Sequence, residues 1–173
     1  MKNLFISLVL ILAAVGERLW FDLGPNVELV MTTSVLASIY LGRRWGIGVA
    51  LISLMISDLV IGNTMIMIFT WSAFSLIAWE GHGLKNKNFI WGAGYGLAGA
   101  LFFYFYTNLG VWLIGNWYPH NLAGLIDCYV MGLPFLKLQA VSSMVFLGGT
   151  LGIIRLLNTK VVRLASNQGS GKE

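Results

Sequence analysis

Charge is scarce in this sequence. Eleven Lys and Arg with seven Asp and Glu make only 10% of 173 residues, where soluble domains carry about 25%. So little charge cannot cover a water-exposed surface of this length, which excludes an ordinary soluble domain. Cysteine is scarcer still. Cys128 stands alone, so there is no intramolecular disulfide and no metal site of several thiolates. The three prolines, Pro25, Pro119 and Pro134, all fall outside the long apolar runs. No long stretch alternates apolar and polar residues, which excludes a transmembrane β-barrel. The phosphate-loop, H-E-x-x-H and G-x-S-x-G patterns are absent. The chain therefore cannot hydrolyse ATP by a P-loop mechanism alone, and nothing pairs a nucleophile with a base. It reads as neither an enzyme nor a nucleic-acid binder, and no cofactor is expected.

What the chain has in abundance is apolar sequence. Hydrophobic residues reach 57% and the mean hydropathy is +0.78. Six apolar segments stand out: Leu4–Trp20, Val27–Leu41, Ile47–Ile61, Met65–Trp79, Phe89–Tyr106 and Leu138–Leu157. Backbone polar groups in lipid must pair internally, so each segment is expected to be a helix. Several are short for a hydrocarbon core of about 30 Å, which snorkelling or local thinning of the bilayer can accommodate. The expected fold is an all-α membrane protein, a six-helix transmembrane bundle over residues 1–160 with a cytoplasmic polar tail at 161–173.

Charge placement sets the orientation. With the N-terminus inside, Lys2, Arg43, Arg44, Lys85, Lys87, Arg155, Lys160, Arg163 and Lys172 lie in the cytoplasm. Only Arg18 and Lys137 fall outside, a split of nine to two that follows the positive-inside rule. The expectation is a bacterial cytoplasmic (inner) membrane protein with both termini in the cytoplasm. The start "MKNLFISLVLILAAVG" also has the layout of a secretory signal. Leu19, Trp20 and Phe21 carry the apolar stretch past the cleavage point, which favours a retained first helix.

The polar residues gather on the outer side. The first outer connection carries Glu17, Arg18, Asp22, Asn26 and, just inside the second helix, Glu28. Asp58 follows about one turn below the surface, then Asn63. Residues Thr107 to Lys137 make a long third connection containing "GNWYPHN". It is too rich in Trp, Tyr, Leu and Ile to be a solvated linker. It is expected to form a partly helical outer loop between helices 5 and 6, lying over the bundle. Asn121 would cap a helix that Pro134 ends. The ligand site assembled from these positions is Asp58, Glu28, Asn26, Asn63, Asn108, Trp112, Trp117, Tyr118, His120 and Asp127. Asp58 is its sharpest member, because an acid at membrane depth faces the interior, pairs and marks function. The five outer acids against two bases suggest a cationic or amine-bearing ligand, although Glu17 could simply pair with Arg18. Small residues also recur every fourth position, at Ser34, Ser38 and Gly42 and at Gly92, Gly96 and Ala100. Such stripes serve helix packing or the docking of a partner helix.

The stretch "NVELVMTTSVLASIYLGRRWGIGVALISLMISDLVIG" resembles the second and third helices of the substrate-binding S components of energy-coupling factor (ECF) transporters. The stretch "TNLGVWLIGNWYPHNLAGLIDCYVMGLPF" resembles a motif of an uncharacterised bacterial membrane-protein family related to them. The resemblance covers nearly the whole chain. It implies capture of a small-molecule ligand, a vitamin, vitamin precursor or metal-related ligand, at the outer face of the lipid bilayer. It also implies transport with a transmembrane coupling subunit and two cytoplasmic ATPases. The first helix departs from the pattern, because Ala13, Ala14 and Gly16 do not give the A-x-x-x-A spacing used to dock a shared module. The rival reading is a structural or assembly protein that holds a partner helix through its small-residue stripes.

Overall fold

The computed structural model describes residues 1–21, 24, 26, 27, 29–62 and 64–169, with side chains through Lys160. Six α-helices account for nearly all of it: α1 (Lys2–Gly16), α2 (Val30–Leu41), α3 (Arg43–Ile61), α4 (Met67–Gly81), α5 (Phe89–Ile114) and α6 (Leu122–Gly169). There is no strand among the described residues. A π-helical turn, Glu17–Phe21, prolongs α1. By length and composition, Lys2–Phe21, Arg43–Ile61, Phe89–Ile114 and Leu122–Lys160 could each cross a membrane. The 12 residues of α2 and the 15 of α4 fall short of the roughly 20 a full span needs.

The helix count is as expected, but the third outer connection is not. α5 runs on through Ile114 and α6 begins at Leu122, so the thirty-residue loop shrinks to the turn at residues 115–121. Its helical parts belong to the two flanking helices. Polar side chains there are satisfied without leaving the helix: Thr107 Oγ1 donates to Phe103 O at 2.8 Å and Asn108 Nδ2 to Tyr104 O at 2.8 Å. Nor does Pro134 end a helix; it lies inside α6. Proline leaves the carbonyl four residues back without its N–H donor. Beside that point the Tyr104 hydroxyl donates to the carbonyl of Tyr129, tying the disturbed stretch of α6 to α5. The polar tail expected from residue 161 is helical in its backbone as far as Gly169.

α5 and α6 form a long antiparallel pair built on small residues. A Cβ at Gly96 would stand 2.5 Å from Ser143 O, and one at Gly92 2.9 Å from Gly148 Cα. Only backbone against backbone fits there, the close approach that small residues permit. The α2–α3 hairpin repeats the device, since a Cβ at Gly46 would lie 2.6 Å from Ser38 Cβ. Gly42 makes the tight turn between them at φ 109°, a conformation glycine adopts at no steric cost. Both small-residue stripes are therefore used within the chain.

Val30, Met31, Val35, Leu54, Phe74, Ile77, Phe103 and Leu147 make the core. The outside is no less apolar, with Leu59, Val60, Ile90, Phe105, Val141 and Ile153 all exposed. Exposed apolar surface of that extent marks contact with a membrane or with other protein. Several buried hydroxyls bond back to their own helices, Thr33 to Leu29 O at 2.9 Å and Ser57 to Ser53 O at 2.9 Å. Arg43 and Lys87, over the rings of Trp79 and Trp91, sit at one end of the bundle. The turn at 115–121 and Asp58 sit at the other, called the upper end below.

Candidate functional site

Asp58 is nearly buried at the last turn of α3 and is clasped from two sides. Its Oδ1 accepts from Arg18 Nη2 at 3.0 Å and its Oδ2 from the Trp71 indole N–H at 2.7 Å. Arg18 Nε also donates to Ser57 Oγ at 2.9 Å. One cation thus meets the acid and the hydroxyl of adjacent residues, joining α1, α3 and α4. Glu17 does not pair with Arg18. Neighbouring residues on a helix point in different directions, and Glu17 turns inward to accept from Leu29 N at 3.1 Å. That places a carboxylate at the start of α2, where the helix dipole favours negative charge. The π-helical turn supplies both side chains, and such turns are frequent at functional sites.

Beside this clasp lie two adjoining cavities that share Asn26, Thr70 and Phe103. The smaller, about 210 Å³, is bordered by Arg18 and Asp58. The larger, about 440 Å³, opens between the upper half of α6 and the rest of the bundle. α5 contributes Tyr104, Thr107 and Asn108; α6 contributes Cys128, Gly132, Phe135 and Gln139; the turn contributes Trp117 and Tyr118. No charged side chain lines this chamber among the described residues. Its volume falls in the 300–1,000 Å³ range of small-molecule sites, and its mixture of apolar walls and a few polar groups is of the same kind.

Of the ten positions expected from the sequence, Asn26, Asn108, Trp117 and Tyr118 line the larger chamber. Asn26 and Asp58 border the smaller one. Glu28 and Asn63 lie outside the described residues. The other three are turned to different tasks. Trp112 donates its indole N–H to Pro119 O at 3.0 Å and meets His120 edge-on at 5.6 Å. His120 Nε2 approaches Gly115 O at 3.3 Å. Together they brace the turn. Asp127 is exposed on α6 and lines neither cavity. Asn121 caps α6 as expected, its Oδ1 accepting from Gly124 N at 2.9 Å.

Of the outer acids expected to attract a cation, Asp58 and Glu17 are each engaged within the chain. Asp58 faces only the smaller cavity, with Arg18 bound to it, and Glu17 is engaged at Leu29 N. Asp22, with Glu28, lies outside the described residues. His82 is at the opposite end, with Nδ1 2.6 Å from Ser38 O. No group of three or more His, Cys, Asp and Glu that could hold a metal occurs among the described residues.

Arg18, Thr70, Phe103, Tyr104 and Gln139 were not singled out from the sequence. Gln139 carried a readable signal: it is an amide inside the last apolar segment, and polar groups at that depth point to function as Asp58 does. Tyr104 and Phe103 gave none, being aromatic residues in an aromatic run.

No curated protein and no solved structure is significantly similar to the chain. A family model does match, over residues 1–166. The chain with the clasped Asp58 and the chamber beside it belongs to the family described as "family of unknown function (DUF6580)".

Proposed function

We propose that this protein is a membrane-embedded binding subunit that captures a small organic molecule from the outer face of the cytoplasmic membrane for uptake. The observation that carries the reading is the chamber of about 440 Å³ at the end of the bundle opposite Arg43 and Lys87. In this reading the basic end faces the cytoplasm, the six helices all enter the bilayer, and α2 and α4 reach only part of its depth. Short helices roofed by an outer site are what the resemblance to ECF S components implies. A coupling subunit and two ATPases would then supply the energy, because the chain has no phosphate loop of its own. Ala14 and Gly16 are buried within the bundle, so docking on such a partner would use another surface.

The rival reading, a scaffold that grips a partner through small-residue stripes, loses its main support. Gly92, Gly96 and Gly46 already face backbone or side chains of this chain. The test is ligand binding by the purified full chain in detergent, read as melting temperature and by native mass spectrometry against vitamins, their precursors, amines and neutral heterocycles. A rise in melting temperature with a matching adduct is the expected result. A panel of that breadth yielding neither would refute the reading.

A further inference from the structure

Gln139 is 1% exposed and lines the larger chamber from α6. Among the described residues, neither its Nε2 nor its Oε1 meets a hydrogen-bond partner. Buried polar groups are almost always paired, and each exception needs a reason. The other buried atoms of this kind are the hydroxyls of Ser7, Thr32, Ser38 and Ser53. Each is a single rotatable O–H on a helix, and none of those residues lines a cavity described above. Gln139 differs on both counts. It brings a donor and an acceptor together, fixed side by side on one planar carboxamide, and it borders a space large enough for a ligand.

The surroundings narrow what could meet it. Phe103, Tyr104 and Phe135 supply ring surface along the same chamber. Asn108 lines the same chamber with Nδ2 committed to Tyr104 O, while among the described residues its Oδ1 has only a long contact with the Cys128 thiol at 3.8 Å. Gly132 leaves the room for that amide, since a Cβ there would stand 2.7 Å from Asn108 Oδ1. From this we infer that the chamber recognises a flat, uncharged group with an amide-type edge, a hydrogen-bond donor beside an acceptor, which pairs with both atoms of the Gln139 carboxamide. Lactams, cyclic ureas, pyrimidinones and aromatic carboxamides have that edge; carboxylates and simple amines lack it. The inference rests on the reading of the chamber as a ligand site and names the chemistry it selects.

The test uses the full chain in detergent, with 2-pyridone, uracil and nicotinamide as probes and N-methyl-2-pyridone and nicotinate as controls. Binding is read by melting temperature and by saturation-transfer NMR. The edge-bearing probes are expected to bind about tenfold or more tightly than the controls, the effect of one net hydrogen bond in a dry site. Gln139→Met keeps the shape without the polar atoms. It should erase that preference while leaving the melting temperature of the ligand-free protein unchanged or higher, because an unpaired buried amide stabilises nothing. Equal binding of 2-pyridone and its N-methyl analogue by the natural protein overturns the inference without any variant. So does an undiminished preference in Gln139→Met. If only compounds lacking the edge bind, the inference fails and the capture reading survives. If no compound of any class binds, both fail.

Discussion

Replacing either partner of the Arg18–Asp58 pair should cost far more than replacing both. The side chains are 21% and 8% exposed and 3.0 Å apart. Removing one member of a buried pair costs about 3–5 kcal/mol, because the other charge is left in a poor solvent. Arg18→Met strands the nearly buried Asp58 carboxylate, which keeps the Trp71 indole N–H, so the low end, ~3 kcal/mol, applies. Asp58→Leu should cost a similar ~3 kcal/mol, since it also takes the acceptor from the Trp71 N–H. In Arg18→Met/Asp58→Leu neither member of this pair is left facing the gap of the other, and Ser57 still donates to Ser53 O. Of the contacts described above, the Trp71 indole N–H loses its acceptor, a cost of about 1–2 kcal/mol. The double variant should therefore be more stable than either single one, with a coupling of at least ~2 kcal/mol. Reversible unfolding in mixed micelles by SDS titration, followed by far-UV circular dichroism, gives the four values. Costs that add to within ~0.5 kcal/mol would show the two residues to be energetically independent and would refute the account of the clasp.

Gly132→Ala should shift Asn108 and Tyr104 and reduce binding of 2-pyridone by about tenfold or more, with a stability loss of about 1–3 kcal/mol; calorimetry and melting curves separate the two effects. Gly96→Leu should force α5 from α6 at Ser143 and lower the yield of folded protein in size-exclusion chromatography. Trp112→Phe removes the hydrogen bond to Pro119 O, worth about 1 kcal/mol, and should speed amide exchange in the turn at residues 115–121 without changing the helices. In a Cys128→Ser background, Tyr118→Cys should react with an impermeant maleimide added to intact cells, and Asn86→Cys should react only after lysis; the opposite pattern would invert the proposed orientation.

The helices were legible in the sequence because apolar runs bounded by glycine and basic turns leave few alternatives. Their upper ends were not. Thr107, Asn108 and Tyr129 have the composition of a loop, yet each donates a hydrogen bond to a helix carbonyl; Tyr129 donates to Phe105 O at 3.0 Å. Polarity marks a loop only when the polar groups need water. Pro134 misled because a proline can sit inside a helix that neighbouring packing holds together, here with the Tyr104 hydroxyl on the carbonyl of Tyr129. At the site, Asp58 was recognisable as an acid that must be paired, but its partners come from α1 and α4. Sequence spacing says nothing about contacts between residues 40 positions apart. Asn26, Asn108, Trp117 and Tyr118 were found through their composition, and Gln139 was hidden by the apolar residues around it.

The clasp also bears on how the protein is made. Arg18, Asp58 and Trp71 all belong to the first four helices, whereas most of the larger chamber belongs to the α5–α6 pair. During synthesis the acid of α3 finds its cation on a helix already delivered, and the indole follows one helix later. The costly charges are thus neutralised early, before the last hairpin leaves the ribosome. That hairpin then arrives as a unit joined by a short braced turn and completes the chamber last. A nascent chain halted after α4 would hold the clasp but lack most of the chamber's walls.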